Sequence, residues 1–228
     1  MSSYALRGAT IACYLAIGYE AYSFFTQTIC PFSLSYPENH SRRKWHQDHA
    51  AKQAEEMGLK KEIVVISGSE YLAYGNTFLL GKVGVSVPVA KEEDPSIEDN
   101  DWTRFCITET LVRVRSNEGS IEKLAVLAAF VFYSYFRGFG FSLECKSLSA
   151  TCELLLVGVV TTAVVKRWFN KYAYRTAMKY CSRDVNRAAV EKLKSLEKGS
   201  DRSPLGKRIF GNGNKIRELN AYIEKQGY

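Results

Sequence analysis

Two apolar stretches of 18 residues each, Leu124–Phe141 (LAVLAAFVFYSYFRGFGF) and Leu148–Val165 (LSATCELLLVGVVTTAVV), are separated by only six residues. At 1.5 Å rise per residue each makes about 27 Å of helix, near the lower limit for crossing a bilayer core. So short a connection makes the two antiparallel neighbours, a transmembrane hairpin spanning 124–165. A hairpin returns the chain to the side it left. The polar segments 31–123 and 166–228 are therefore expected on one face of the membrane, where they can fold as one domain. A further apolar stretch, Gly8–Ile29, is interrupted by Glu20 and has no small-residue cleavage site. It reads as a retained N-terminal anchor within residues 1–30 rather than a cleaved signal.

Charge is unevenly placed. Tyr36–Lys123 carries 12 basic and 15 acidic residues, whereas Lys166–Tyr228 carries 16 basic and 6 acidic. The excess begins directly after the last apolar stretch, at Lys166 and Arg167 beside Trp168. Positive-inside topology or contact with anionic lipid explains it, and Lys166, Arg167 and Trp168 read as an interfacial group. No recognised nucleic-acid module accompanies the charge, so no nucleic-acid partner is expected. With 46% apolar residues and a mean hydropathy of −0.19, the chain is neither disordered nor mostly lipid-facing helix. Arg137 and Glu153 fall inside the apolar runs, where a charge costs about 2.5–3.5 kcal/mol on insertion scales. Snorkelling of Arg137 is one reading; an ion pair with Glu153 or with a partner subunit is the other.

In the polar segments, Pro37–Asn39 opens a helix that runs to Met57 and stops at Gly58, with Trp45, Ala50, Ala54 and Met57 as its apolar stripe. Glu62–Ser67 and Thr77–Val87 read as two strands of a small β-hairpin sheet, followed by an acidic loop over Lys91–Asp101. A helix from Asp101 places Ile107, Leu111, Val114 and Ile121 on one face and runs into the apolar hairpin. After the hairpin a long helix extends from Arg167 to about Lys198, with Trp168, Tyr172, Cys181, Val185, Ala189 and Leu196 roughly in register. A short amphipathic helix ends the chain. The expected class is a mainly helical α+β membrane protein.

Chemical candidates are few. The six cysteines form no CxxC pair, which argues for free buried thiols rather than a disulfide framework or a zinc knuckle. His46 and His49 have i, i+3 metal-ligand spacing, but among Arg, Lys and Gln they read as a solvated face. The only other histidine is His40. The aromatics Trp168, Phe169, Tyr172 and Tyr174 beside Lys166, Arg167 and Lys171 read as an exposed interfacial belt. No cofactor is expected.

The order of helix, small sheet, helix, transmembrane hairpin and long helix resembles the membrane zinc peptidases of the HtpX, Oma and CaaX-prenyl endopeptidase group, whose fold is gluzincin-like. Glu109-Thr-Leu-Val-Arg113-Val-Arg-Ser-Asn-Glu118 stands where those enzymes have HELGHIxNxD. Asp184-Val-Asn186-Arg187-Ala-Ala-Val-Glu-Lys-Leu193 stands where they have EADRxAVELL. Zinc needs neutral imidazoles or anions converging on it. Here the two His positions hold Glu109 and Arg113, the general-base position holds Thr110, and the ligand-Glu position, four residues before Asn186, holds Ser182. A frame shifted by one gives Thr108, Glu109 and Val112, which recovers the Glu but neither His. The resemblance thus implies a degenerate, zinc-less peptidase-like domain whose vestigial positions are Glu109, Thr110, Arg113, Ser182 and Asn186.

Among degenerate relatives the chain is similar to the transmembrane protein 177 family of the mitochondrial inner membrane. The likeness covers the N-terminal anchor and the VGVSVP strand end before an acidic loop. It extends to Phe105-Cys-Ile-Thr running into ETLVRVRSNEGSIEKLAVLA, and to the late helix ending at Leu193. It implies a non-catalytic scaffold with its polar domain in the matrix, serving cytochrome c oxidase or another respiratory complex as accessory subunit or assembly factor. Partners would be respiratory membrane subunits and the bilayer, cardiolipin included. The alternatives are an unorthodox membrane peptidase using Glu109, and a peripheral anionic-lipid-binding module.

Overall fold

In the computed structural model the described residues are 41–68, 70–74, 77, 82–88, 101–136, 148–199 and 212–225, with eight helical positions between 11 and 22. Helix α1 (Ser41–Glu56) buries Ala50, Ala54 and Met57 along one stripe. It stops at Gly58, whose φ of +69° is a left-handed conformation that glycine adopts without steric cost. The expected opening at Pro37–Asn39 lies outside the described residues, as does most of the acidic loop.

Strands β1 (Glu62–Gly68), β2 (Leu72–Tyr74) and β3 (Lys82–Pro88) form one sheet in the order β1-β3-β2. β3 is central and buries every residue from Val83 to Val87, as a strand covered on both faces should. The two longer strands do not form the expected hairpin. β1 lies parallel to β3, with Ile63 opposite Val83 and Val65 opposite Val85. The short β2 takes the antiparallel place on the other side, Ala73 opposite Val85. The connection between β1 and β3 is far longer than a tight turn and carries a strand of its own, so the antiparallel partner of β3 is β2.

Helix α2 (Asp101–Arg115) runs through the middle of the core, burying Phe105, Ile107, Leu111, Val112 and Val114. It does not continue into the apolar stretch. Asn117 adopts φ +53°, and its side chain accepts from the Thr77 backbone N–H at 2.7 Å, fixing a break before α3 (Glu118–Phe136). Ile121 therefore leaves the buried face expected for it and is 45% exposed. Helix α3 is long and apolar enough to cross a membrane.

Helix α4 (Leu148–Tyr180) is a single rod of 33 residues that joins the apolar hairpin to the polar body. The long helix expected from Arg167 is thus continuous with the apolar stretch before it. The chain breaks instead at Cys181–Ser182, where Ser182 caps α5 (Arg183–Lys198) by accepting from the Val185 N–H. Of the residues expected in register, Cys181, Val185 and Ala189 are buried while Trp168, Tyr172 and Leu196 are exposed, and the buried side of α4 is Phe169, Ala173, Tyr174 and Ala177. Helix α6 (Gly213–Lys225) closes the fold on α5 and α4 through Leu219 and Ile223. One core thus unites α1, the sheet, α2, the lower half of α4, α5 and α6.

The hairpin forms a satellite cluster of Val126, Phe130 and Leu154, against which Ile17 packs. Its register is antiparallel: Glu122 meets Lys166, Phe130 meets Gly158, and Glu153 accepts a hydrogen bond from Tyr133. Arg137 lies outside the described residues, and with it both readings of its charge. A Cβ on Gly158 would stand 2.7 Å from the Phe130 ring. Gly158→Val should therefore lower stability in detergent by about 1–3 kcal/mol, and adding Phe130→Leu should recover part of the loss. Identical melting of Gly158→Val and the parent chain would dismiss this close packing.

Candidate functional site

A cavity of about 500 Å³ opens between β2, the middle of α2, the start of α3 and the middle of α4. Glu109, Thr110 and Arg113 line its α2 wall, Glu118 and Glu122 its α3 wall, Lys166 and Asn170 its α4 wall. The one-turn spacing of Glu109 and Arg113 brings both side chains to the same side of α2. Arg113 Nη2 donates to Glu109 Oε1 at 3.0 Å and to Asn170 Oδ1 at 2.6 Å. Its Nη1 donates to both carboxylate oxygens of Glu118, at 2.7 and 2.8 Å. From 106 residues away, Lys215 on α6 donates its Nζ to Glu109 Oε2 at 2.7 Å. That ammonium also lies 5.3 Å from the Phe105 ring centroid and 5.5 Å from that of Tyr174.

Glu109 is thus a buried carboxylate gripped by two cations. Burial alone would push its carboxyl up. Lys215 and then Arg113 more than offset this and hold it below the ordinary carboxylate range. Both carboxylate oxygens are engaged, Oε1 by Arg113 and Oε2 by Lys215.

Thr110 adds no reactive group, because its hydroxyl donates to the Cys106 carbonyl at 2.8 Å within its own helix. The other two positions singled out by the resemblance lie elsewhere. Ser182 lines a separate cavity of about 360 Å³ with His49, Arg104, Thr108 and Cys181. Asn186 is fully buried, donating to the Met178 and Cys181 carbonyls at 3.0 and 3.4 Å. The face of α2 that approaches Ser182 is therefore the one bearing Thr108. In that cavity burial holds the Cys181 thiol at about 12, so it is no thiolate nucleophile at neutral pH.

His46 and His49 do not lie on a fully solvated face. His46 falls on the Ala50–Ala54 stripe and is buried edge-on to Trp45, with ring centroids 5.0 Å apart. His49 stacks on Trp45 at 5.4 Å. Among the described residues no three His, Cys, Asp or Glu side chains converge as a metal site requires. Of the aromatic belt, Trp168 and Tyr172 are exposed and stacked, but Phe169 and Tyr174 belong to the core. Lys166 is exposed and reaches Glu122 at 3.4 Å; Arg167 is exposed beside it.

Lys215, Glu118 and Asn170 carry the site together with Glu109 and Arg113, and nothing in the sequence assigned the first three a role. Glu118 had a local signal, since it lies five residues beyond Arg113, past a helix break. Lys215 had none, because nothing near it in sequence announces a partner on α2. Comparison with known proteins found no match to a family model, a curated protein or a solved structure.

Proposed function

We propose that this chain is a non-catalytic, membrane-anchored scaffold of the mitochondrial inner membrane, with its polar body in the matrix. It would serve a respiratory complex, cytochrome c oxidase in first place, as accessory subunit or assembly factor. The observation that carries the reading is the clamp on Glu109. In a zinc peptidase this stretch of α2 faces a dication. Here two monovalent cations, Arg113 and Lys215, neutralise the carboxylate, and Glu118 and Asn170 hold Arg113 in place. The apolar hairpin supports the membrane placement: Val131, Phe132, Tyr135, Leu156, Val159 and Val164 are each more than half exposed, an arrangement suited to lipid or to partner helices.

Native purification with mass spectrometry tests the role. A respiratory complex or one of its assembly intermediates should accompany the chain. Stoichiometric zinc in that preparation would overturn the scaffold and restore the peptidase. Release by carbonate would favour the peripheral lipid-binding module instead. Orientation has its own test: protease added outside mitoplasts should spare Lys166–Tyr228, and its digestion there would reverse the topology.

A further inference from the structure

Between Lys166 and Arg183 the sequence has six cations and no acid. Four of them, Arg167, Lys171, Arg175 and Lys179, recur every fourth residue along α4, and all four are exposed. They form one ridge about 18 Å long, with about 6 Å between neighbours, winding up the helix opposite buried Phe169, Ala173 and Ala177. Like charges at this spacing repel, and a helix solvated on its own account would alternate them with Glu. Orienting the hairpin needs positive charge near its end in any register, not a ridge of one sign at constant spacing.

The ridge already shows what it accepts. Glu218, on the neighbouring helix α6, takes the Arg175 guanidinium with both oxygens, at 2.6 Å from Nε and 2.8 Å from Nη2. Among the described residues Arg167, Lys171 and Lys179 form no ion pair. From this charge complementarity we infer that the ridge is a docking surface for an acidic helical segment of a partner protein, with carboxylates at four-residue intervals. The inference deepens the scaffold reading and rests on it for the existence of a partner. A bilayer surface fits poorly, because the ridge runs away from the apolar hairpin for more than twice the screening length of about 8 Å. Single-stranded nucleic acid fits poorly as well. The exposed aromatics Trp168 and Tyr172 stack on each other rather than standing apart as platforms for successive bases.

The test is an anisotropy titration of the full-length chain in detergent with a labelled helical peptide bearing Glu at every fourth position. Saturable binding should weaken about tenfold in Lys171→Glu/Lys179→Glu. It should stay within about twofold in Lys192→Glu/Lys194→Glu, which reverses two exposed charges on α5. Equal losses in both variants, or equal binding of a peptide with the same composition in scrambled order, would reduce the ridge to general basic charge and overturn the inference. So would tighter binding of a single-stranded RNA or of anionic vesicles through the same two lysines, or self-association of the chain that the ridge reversal abolishes. Native copurification reads the scaffold proposal separately: a chain that brings no partner from membranes but binds the peptide in this pattern fails there and stands here.

Discussion

Lys215→Met should lower the stability of the polar body by about 3–5 kcal/mol, and Arg113→Ala by a similar amount, whereas Arg115→Ala should cost no more than about 1 kcal/mol. The contrast follows from burial. The Lys215 and Arg113 side chains are 17% and 20% exposed, and each neutralises a Glu109 side chain that is 12% exposed. Removing either leaves a carboxylate out of water with half its compensation. Methionine keeps the aliphatic stem of Lys215 between Phe105 and Tyr174, so the measured loss belongs to the charge rather than to packing. Arg115 lies on the exposed side of the same helix and makes a single 3.0 Å bond to the Tyr180 hydroxyl. Urea midpoints in one detergent would decide, and equal midpoints for all three variants would leave Arg113 and Lys215 as ordinary surface charge. The double variant Glu109→Gln/Lys215→Met should lose less than the two single losses added together, because each single change strands the other partner.

The second large effect is in acid. The Glu109 carboxyl is held below its ordinary range in the folded chain, so its ion pairs contribute stability that is present above the unfolded pKa and lost as pH falls through the folded one. At neutral pH, Glu109→Gln should be less stable than the parent by about 3–5 kcal/mol, since Lys215 and Arg113 then face no anion at that position. The gap should narrow once pH drops below the ordinary carboxylate range, as the parent chain protonates and loses the same pairs. A gap that stays constant from neutral pH into acid would show that the substitution acts through shape and not through charge. The clamp also changes how the proposed lack of catalysis is best tested. On sequence grounds alone, both Glu109→Ala and Thr110→Ala should leave function untouched. With Glu109 at the centre of a buried ion cluster, its replacement threatens the fold, and Thr110→Ala is the cleaner probe.

Much of this architecture was legible because it depends on local pattern. The stripe of α1, the buried face of α2 and the two apolar helices follow from residues three and four apart. The stop at Gly58 follows from one residue's conformational freedom. The failures came where distant parts of the chain decided the outcome. Whether β1 joins β3 parallel or antiparallel depends on which strand occupies the other flank, and periodicity within a strand carries no record of that. Along α4 the interfacial-belt reading agrees with exposed Trp168 and Tyr172 and fails for buried Phe169 and Tyr174, because a run of neighbouring aromatics carries no record of which side of the helix meets the core. At the junction of hairpin and body the core side belongs to the slimmer set Phe169, Ala173 and Ala177. At the candidate site, the Glu109–Arg113 pair could be read from i, i+4 spacing, but half of the clamp arrives on α6. The vestigial positions Ser182 and Asn186 were chosen by alignment to a motif, and in space they serve a helix cap and a buried amide.

The unbroken course of α4 has a mechanical consequence. A helix of 33 residues is about 50 Å long, and its two halves share one uninterrupted hydrogen-bond ladder. With the hairpin in the bilayer, as proposed, neither half can tilt alone. From Val165 to Tyr180 the rod extends about 22 Å, so a rotation of about 10° in the hairpin would swing the far end of the arm through about 4 Å. The core packed on Phe169, Ala173 and Ala177 would be carried with it. A change in bilayer thickness, or the arrival of a neighbouring span, would reach the polar body as displacement of a lever, with no hinge along α4 to absorb it.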